Sequence, residues 1–525
     1  MSPADTDPGP VASSAKAALR CAALVICIFA VLAPAGAART AAGPALSFAA
    51  AKHYPIGHDP CSMAIGELNG DGKPDLVTAN CGSTTVSVLL NRGDGAFEAK
   101  RDYAAGHRPD RVEIADLNGD AKSDLLTANL DRTISVLLNQ GAGTFGPPVT
   151  YAPGLRPVLV ADLNGDDKPD LVTETGKDRV AVSVMLNRGD GTFEPRRVYL
   201  TQRVGDIALG DLNGDAKPEL VIVNYDIEYT GGLSVLLNAG DGSFETRRDY
   251  PEYFPGAVAI GDLNGDGKAD VATADFGDAT GGGSVLLNRG DGSLGPEREY
   301  ECSSCNHDGE ADAIAIADVN GDGKADLVAE WTTTSYREGN TYVTKVSVLL
   351  NKGLGSFSPQ RSYEISDPIF SDPNFPWLAI VDLNGDGKPD IAAGHNGLSV
   401  LLNKGAGRFE PGLYYRFGGD ANAIARADLN GDGKQDFAAA LSDRRHTVAV
   451  RLNTPGLCNV QWVEGTVAAA KQRLGRANCR IGRVTRAYDK RVRRGRVISQ
   501  RPGFGAVLPG GAKINLVVSR GRKRS

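Results

Sequence analysis

Along residues 46–455 apolar residues alternate with polar ones or run in short blocks, and clusters of Asn, Gly and Asp cut the blocks apart. From Val112 to Tyr151 the order is VEIADL, a polar turn, DLLTANL, TISVLLN, a glycine turn and TFGPPVTY. Period-two alternation between such turns predicts four short strands. The same order returns through the whole stretch, and no 3.6-residue period competes with it. Sixty-five glycines and only 6% aromatic residues suit short strands and tight turns, so helix should be scarce.

The polar turn between the first and second strands is written eight times in one form, x-N-G-D-x-K-x-[D/E] after an acid. Its first positions are Glu67, Asp116, Asp162, Asp211, Asp262, Asp318, Asp382 and Asp428. Offset 3 holds Asn69, Asn118, Asn164, Asn213, Asn264, Asn320, Asn384 and Asn430, and offset 5 holds Asp71, Asp120, Asp166, Asp215, Asp266, Asp322, Asp386 and Asp432. Offset 9 holds Asp75, Asp124, Asp170, Glu219, Asp270, Asp326, Asp390 and Asp436. Oxygens at alternate positions curl around one point as a Ca²⁺ ligand set does. Lys73, Lys122, Lys168, Lys217, Lys268, Lys324, Lys388 and Lys434 at offset 7 need lend only a backbone carbonyl. Up to eight structural Ca²⁺ ions are therefore expected. The flanks are strands and offset 12 carries no bidentate Glu, which separates these loops from an EF-hand. Ala121, Asp167 and Ala216 stand at offset 6, where a tight turn wants Gly, so copies two to four should bind more weakly.

Successive first positions lie 49, 46, 49, 51, 56, 64 and 46 residues apart, the length of a four-stranded propeller unit. Each fourth strand carries an apolar residue six before a tyrosine: Phe97 and Tyr103, Phe145 and Tyr151, Phe193 and Tyr199, Phe244 and Tyr250, Leu294 and Tyr300, Phe357 and Tyr363, Phe409 and Tyr415. The eighth such pair, Phe48 and Tyr54, precedes the first loop, while the last unit stops at Asn453 without a fourth strand. The N-terminal strand should thus complete the C-terminal blade, closing an all-β propeller of eight blades; seven blades with one irregular copy is the alternative.

The net charge of −7 divides into +15 from Leu457 onward and −22 before it. The acidic part is largely the loop carboxylates. Lys16 and Arg20 precede the apolar run Cys21–Ala33, and small residues follow to Ala37, which predicts a secretory signal over 1–37 and a linker over 38–45; a retained anchor is the other reading. Six cysteines then remain in an exported chain, an even number that favours disulfides. Cys61 and Cys81 lie ten residues either side of Asp71, so they should face each other across that hairpin. Cys458–Cys479 and a local Cys302–Cys305 bridge are the other expected pairs.

The LNGDGKPDL and NRGDGTF cores resemble the FG-GAP/VCBS repeats of calcium-binding propellers, also found in integrin α-subunit heads, over residues 46–455. That resemblance implies calcium in the first hairpin loop and a role in recognition or adhesion, sometimes as the scaffold of a polysaccharide-degrading enzyme. Residues 456–521 resemble a PASTA domain. Gly465 and Thr466 would open a helix with Ala470 and Leu474 on one face, and Val497 to Gln500, Pro502, Gly505 and Gly510 match its strand core. Gln461-Trp462 stands where that family usually has a proline after the valine. The resemblance implies a small α+β module and a bacterial cell-wall location. The basic end, Arg520 to Ser525 with the tail 522–525, then suits an anionic wall polymer or a membrane surface, and no nucleic-acid partner is expected for an exported chain.

A ligand face is sought where the repeat is interrupted, at Tyr225–Gly232, Glu301–Asp312, Trp331–Thr344 and Glu364–Pro376. All four are fourth-to-first or second-to-third connections, which emerge opposite the metal loops. Tyr225, Tyr229, Trp331, Tyr336, Tyr342, Phe370, Phe375 and Trp377 could stack on a glycan or grip a protein ligand there, or pack down their own loops. The three Arg-Gly-Asp triplets, beginning at Arg92, Arg188 and Arg289, read as turn chemistry between third and fourth strands. His53, His58, His107, His307, His395 and His446 are scattered over different units, and no nucleophile elbow or zinc motif is present. The expectation is a monomeric, non-enzymatic, secreted or wall-associated binding protein, with a lyase or glycosidase on the propeller scaffold as the alternative.

Overall fold

The computed structural model describes residues 46–523 apart from 152–154, 176–180, 226–230, 246, 253–254, 276–281, 302–308, 336–340, 366–376, 396 and 443. The expected signal and linker, the Cys302–Cys305 pair, and Tyr229, Tyr336, Phe370 and Phe375 lie outside the described residues, as do the side chains of Tyr225, Tyr342 and His395.

Among the described residues the chain forms eight four-stranded antiparallel sheets, a small β module at the C-terminal end and one α-helix. The second unit shows the plan: Pro109–Ala115, Asp124–Asn129, Ile134–Leu137 and Val149–Tyr151 lie side by side in that order. Second and third strands are buried almost throughout because sheets cover both of their faces. That is why DLLTAN and ISVL are nearly continuous apolar runs. The N-terminal strand Lys52–Pro55 pairs with Thr447–Arg451, Lys52 opposite Val450, and completes the sheet of the last unit as expected.

Two repeated contacts join each sheet to the next in this propeller-like arrangement. The fourth-strand tyrosine of one unit meets the apolar residue of the following one, with ring centroids 5.3 Å apart for Tyr54 and Phe97 and 5.2 Å for Tyr103 and Phe145. Across the same seam the Tyr250 hydroxyl oxygen accepts from Leu294 N–H at 3.0 Å. Tyr415 and Phe48, 4.7 Å apart, link the seventh sheet to the closing one.

The second contact is an asparagine after every third strand. Asn91, Asn139, Asn187, Asn238, Asn288, Asn351, Asn403 and Asn453 each donate from Nδ2 to the carbonyl just after the first loop position of the preceding unit, at 2.6–3.0 Å. Asn91 reaches Leu429 in this way, so the first unit is tied to the last. These amides are buried, where an unmade bond would cost more than a surface one returns.

The expected spacer Trp331–Thr344 is largely strand. Asp326–Ser335 and Thr341–Leu349 form one long hairpin in which Trp331 pairs with Lys345. Trp331 is 1% exposed against Ala274 and Ala329, and Trp377 packs edge-on to Phe437. Neither ring is on a ligand face. Both fall on inward positions of strands, which the length of the spacers concealed.

In the C-terminal module Thr466 caps the helix Val467–Arg476 by accepting from Ala469 N–H, and Ala470 and Leu474 are its buried residues. Cys458–Cys479 is formed, as is Cys61–Cys81. One continuous core runs from Phe48, Tyr415 and Phe417 into Val460, Leu474 and Ile514. Asn459 bonds both ways with the backbone of Phe48, and Gln461 both ways with that of Tyr414. The residue that departs from the PASTA pattern is thus a docking residue.

Candidate functional site: the repeated acidic loops and the opposite face

The loop Glu67–Asp75 and its seven copies are built from the inside out. The offset-9 acid is fully buried in every copy. One of its oxygens accepts from the backbone N–H just after the first loop position, at 2.6–3.0 Å. In seven copies the other accepts, at 2.6–2.8 Å, from the N–H of the seam asparagine. The acid therefore ties the loop's start to the seam, whether or not it also serves as a ligand. Burial pushes Asp75, Asp326 and Asp436 up to about 6 and Asp390 up to about 7, against the pull of the two backbone donors.

The outer part of the loop is exposed and organised around the first position. Asp162 accepts from Gly165 and Asp166 N–H with one oxygen and from Asp167 N–H with the other. Asn164 Oδ1 accepts from Asp166 N–H, and Asp166 Oδ1 from Lys168 N–H. Side-chain oxygens at offsets 1, 3 and 5 thus face one turn. The first copy differs because Glu67 is longer. Its Oε1 takes both Asn69 and Gly70 N–H, and Oε2 is buried with no hydrogen-bond partner. A buried, unsatisfied carboxylate oxygen in an all-oxygen turn is a donor set that a hard cation fits.

The lysine does more than the sequence suggests. In all eight copies its ammonium lies 2.7–3.9 Å from the offset-5 carboxylate. The side-chain bond from Lys73 holds Asp71 below the usual carboxylate range, and Lys122 does the same to Asp120. A cation would have to share or displace that ammonium. At offset 6, Ala121, Asp167 and Ala216 have φ of 60°, 62° and 65°, so this position does require the left-handed region that favours glycine.

The Arg-Gly-Asp triplets are turns, as their pattern indicates: Asp94, Asp190 and Asp291 each accept from the N–H two residues on. One arrangement was not visible in the sequence. His58 and His446, from the first and last units, lie with ring centroids 4.2 Å apart beside Asp59. The histidines are scattered along the chain, but closure by the N-terminal strand brings these two together.

Models of the FG-GAP-like repeat match residues 67–127, 116–173, 211–273, 262–329 and 382–439, more than half of the chain. The chain belongs to the FG-GAP-like repeat family. Each match opens on the first position of one loop and ends just beyond the next, so the FG-GAP-like matches take in all eight loops. A PASTA domain matches residues 463–520. Neither is a catalytic family. Among curated proteins no match was found. Of solved structures, the FG-GAP-like chain is similar to BBS1N in its complex with ARL6DN (12% identity, TM-score 0.40, 65% of this chain and 91% of that one). It is also similar to the V. cholerae biofilm matrix protein Bap1 (14%, 0.33, 75% and 77%) and to the Photorhabdus luminescens Tc holotoxin pore (17%, 0.29, 74% and 17%).

Proposed function

We propose that this chain is an exported recognition or adhesion protein: eight blades stiffened by Ca²⁺ present the connections opposite the loops to a glycan or protein, and the PASTA domain holds the ring at the cell wall. The observation that carries the reading is the eightfold set of loops, each with oxygens at offsets 1, 3 and 5 around an exposed turn and a buried acid behind them. Bound there, Ca²⁺ would supply positive charge to a cluster of carboxylates that otherwise repel one another. The offset-1 carboxylate shapes the turn, and the offset-9 acid transmits that shape to the seam asparagine and so to the neighbouring sheet. The two disulfides fit an oxidising compartment, and no described helix is long and apolar enough to cross a membrane. Exposed Arg483, Arg486, Arg493 and Arg494 give the PASTA domain a cationic edge for an anionic wall polymer.

Two arms of one experiment test the proposal. The purified chain should melt at least about 5 °C higher in millimolar CaCl₂ than in EDTA, and should sediment with isolated peptidoglycan at physiological salt. An unchanged melting temperature would remove the calcium claim; a chain that stays in the supernatant would remove the wall tether.

A further inference from the structure

We propose that His58, Asp59 and His446 form a zinc site that latches the first unit of the ring to the last. The three residues offer two imidazole nitrogens and one carboxylate oxygen, all within 4.8 Å of one another. Asp59 Oδ2 lies 3.1 Å from His58 Nδ1, and Asp59 Oδ1 lies 3.6 Å from His446 Nδ1. Ligand atoms of a tetrahedral zinc centre are about 3.3 Å apart, given metal–ligand bonds of about 2.0–2.1 Å, so the donors already stand at ligating separations. Asp59 N–H donates to the lone pair of His446 Nδ1 at 3.2 Å, a bond that a metal taking that nitrogen would displace. His58 is exposed and the other two partly so, leaving a side open for water as the fourth ligand.

The surroundings are arranged for His58 to be where it is. A Cβ on Gly82 would meet His58 Nδ1 at 2.2 Å, so the imidazole occupies the space of the missing side chain. Gly82 N–H donates to His58 carbonyl, and the Cys61–Cys81 disulfide holds the two segments together. The second unit has His107 at the corresponding place but Arg108 instead of an acid. Among the described residues this His₂Asp set therefore occurs at the closure alone. Its chemistry also separates it from the repeated loops. Two imidazoles and one carboxylate select a borderline ion such as Zn²⁺, whereas eight all-oxygen loops select a hard one.

The test is calorimetric titration of ZnCl₂ into the full chain, without a polyhistidine tag and in saturating CaCl₂ so that the acidic loops do not contribute. One equivalent should bind, and Co²⁺ in its place should give the visible absorption of a four-coordinate ion. H58A and H446A should each weaken Zn²⁺ at least about tenfold, and H107A should leave it unchanged. G82A removes no ligand but should displace His58 and weaken binding as well, while circular dichroism confirms that each variant is folded. No saturable Zn²⁺ binding, or binding that survives in the H58A/H446A double variant, would overturn the site. Either result would leave the calcium reading untouched.

Discussion

The seams within the ring and the seam between the ring and its C-terminal domain solve the same problem in opposite ways. Within the ring one asparagine and one buried acid are repeated at every junction, so no junction differs much from the next. The PASTA domain is held by a set of contacts that does not recur among the described residues: Asn459 on Phe48, Gln461 on Tyr414, and the Phe504 ring stacked on that of Tyr414 at 6.0 Å. A seam made once concentrates its energy in one or two residues. A seam made eight times spreads it, and a loss at one junction is shared by its neighbours.

The largest single effect should therefore be at the unique seam. Gln461→Ala removes the two buried bonds that Gln461 makes with the N–H and C=O of Tyr414, at a cost of about 3 kcal/mol. Trypsin should then cut within the basic domain at least about tenfold faster, while the thermal transition of the ring stays in place. If proteolysis is unchanged, the domain is held mainly by the apolar core it shares with the ring. Next is a pair of changes inside one loop. Asp390→Asn puts an amide NH₂ against one of two backbone donors, Leu383 N–H or Asn403 N–H, and should cost about 2 kcal/mol in EDTA as well as in calcium. Asp386→Asn keeps the bond from Lys388 N–H and loses only the charge facing the Lys388 ammonium, so it should reduce the calcium-induced rise in melting temperature and cost about 1 kcal/mol in EDTA, half the cost of Asp390→Asn. Equal behaviour of the two variants would erase the distinction between clamp and outer ligand.

The parts legible in the sequence are those that repeat or lie close together. Alternation and turn chemistry placed the strands, the missing last fourth strand placed Lys52–Pro55, and spacing about Asp71 paired Cys61 with Cys81. The seam asparagines are not legible although they recur, because Asn two before Gly, as in seven copies, has the pattern of an ordinary turn and its partner is a backbone carbonyl some 70 to 90 positions back in most copies. Trp331 takes the second of its two readings, a ring packed into its own hairpin, and the choice is hidden in the sequence because a hairpin that outgrows its unit looks like an insertion. Gln461 registered only as a departure from a family pattern. His58 and His446 carried no local signal at all, since they meet through ring closure.

The smallest effect tests whether the repeats are equivalent. Five copies have glycine at offset 6, with φ between 76° and 83°, and a Cβ added there would meet nothing within 4 Å. Gly433→Ala therefore tests backbone conformation without steric clash and should cost about 1 kcal/mol. Ala121→Gly relieves the same strain at φ 60°, but the added freedom of the unfolded chain offsets part of the gain, leaving about 0.5 kcal/mol. If calcium fills the loops, the gain should be larger in calcium than in EDTA, because a relaxed turn holds its ligands at less cost. Equal gains in both would mean that the second loop contributes to the fold but takes up no ion.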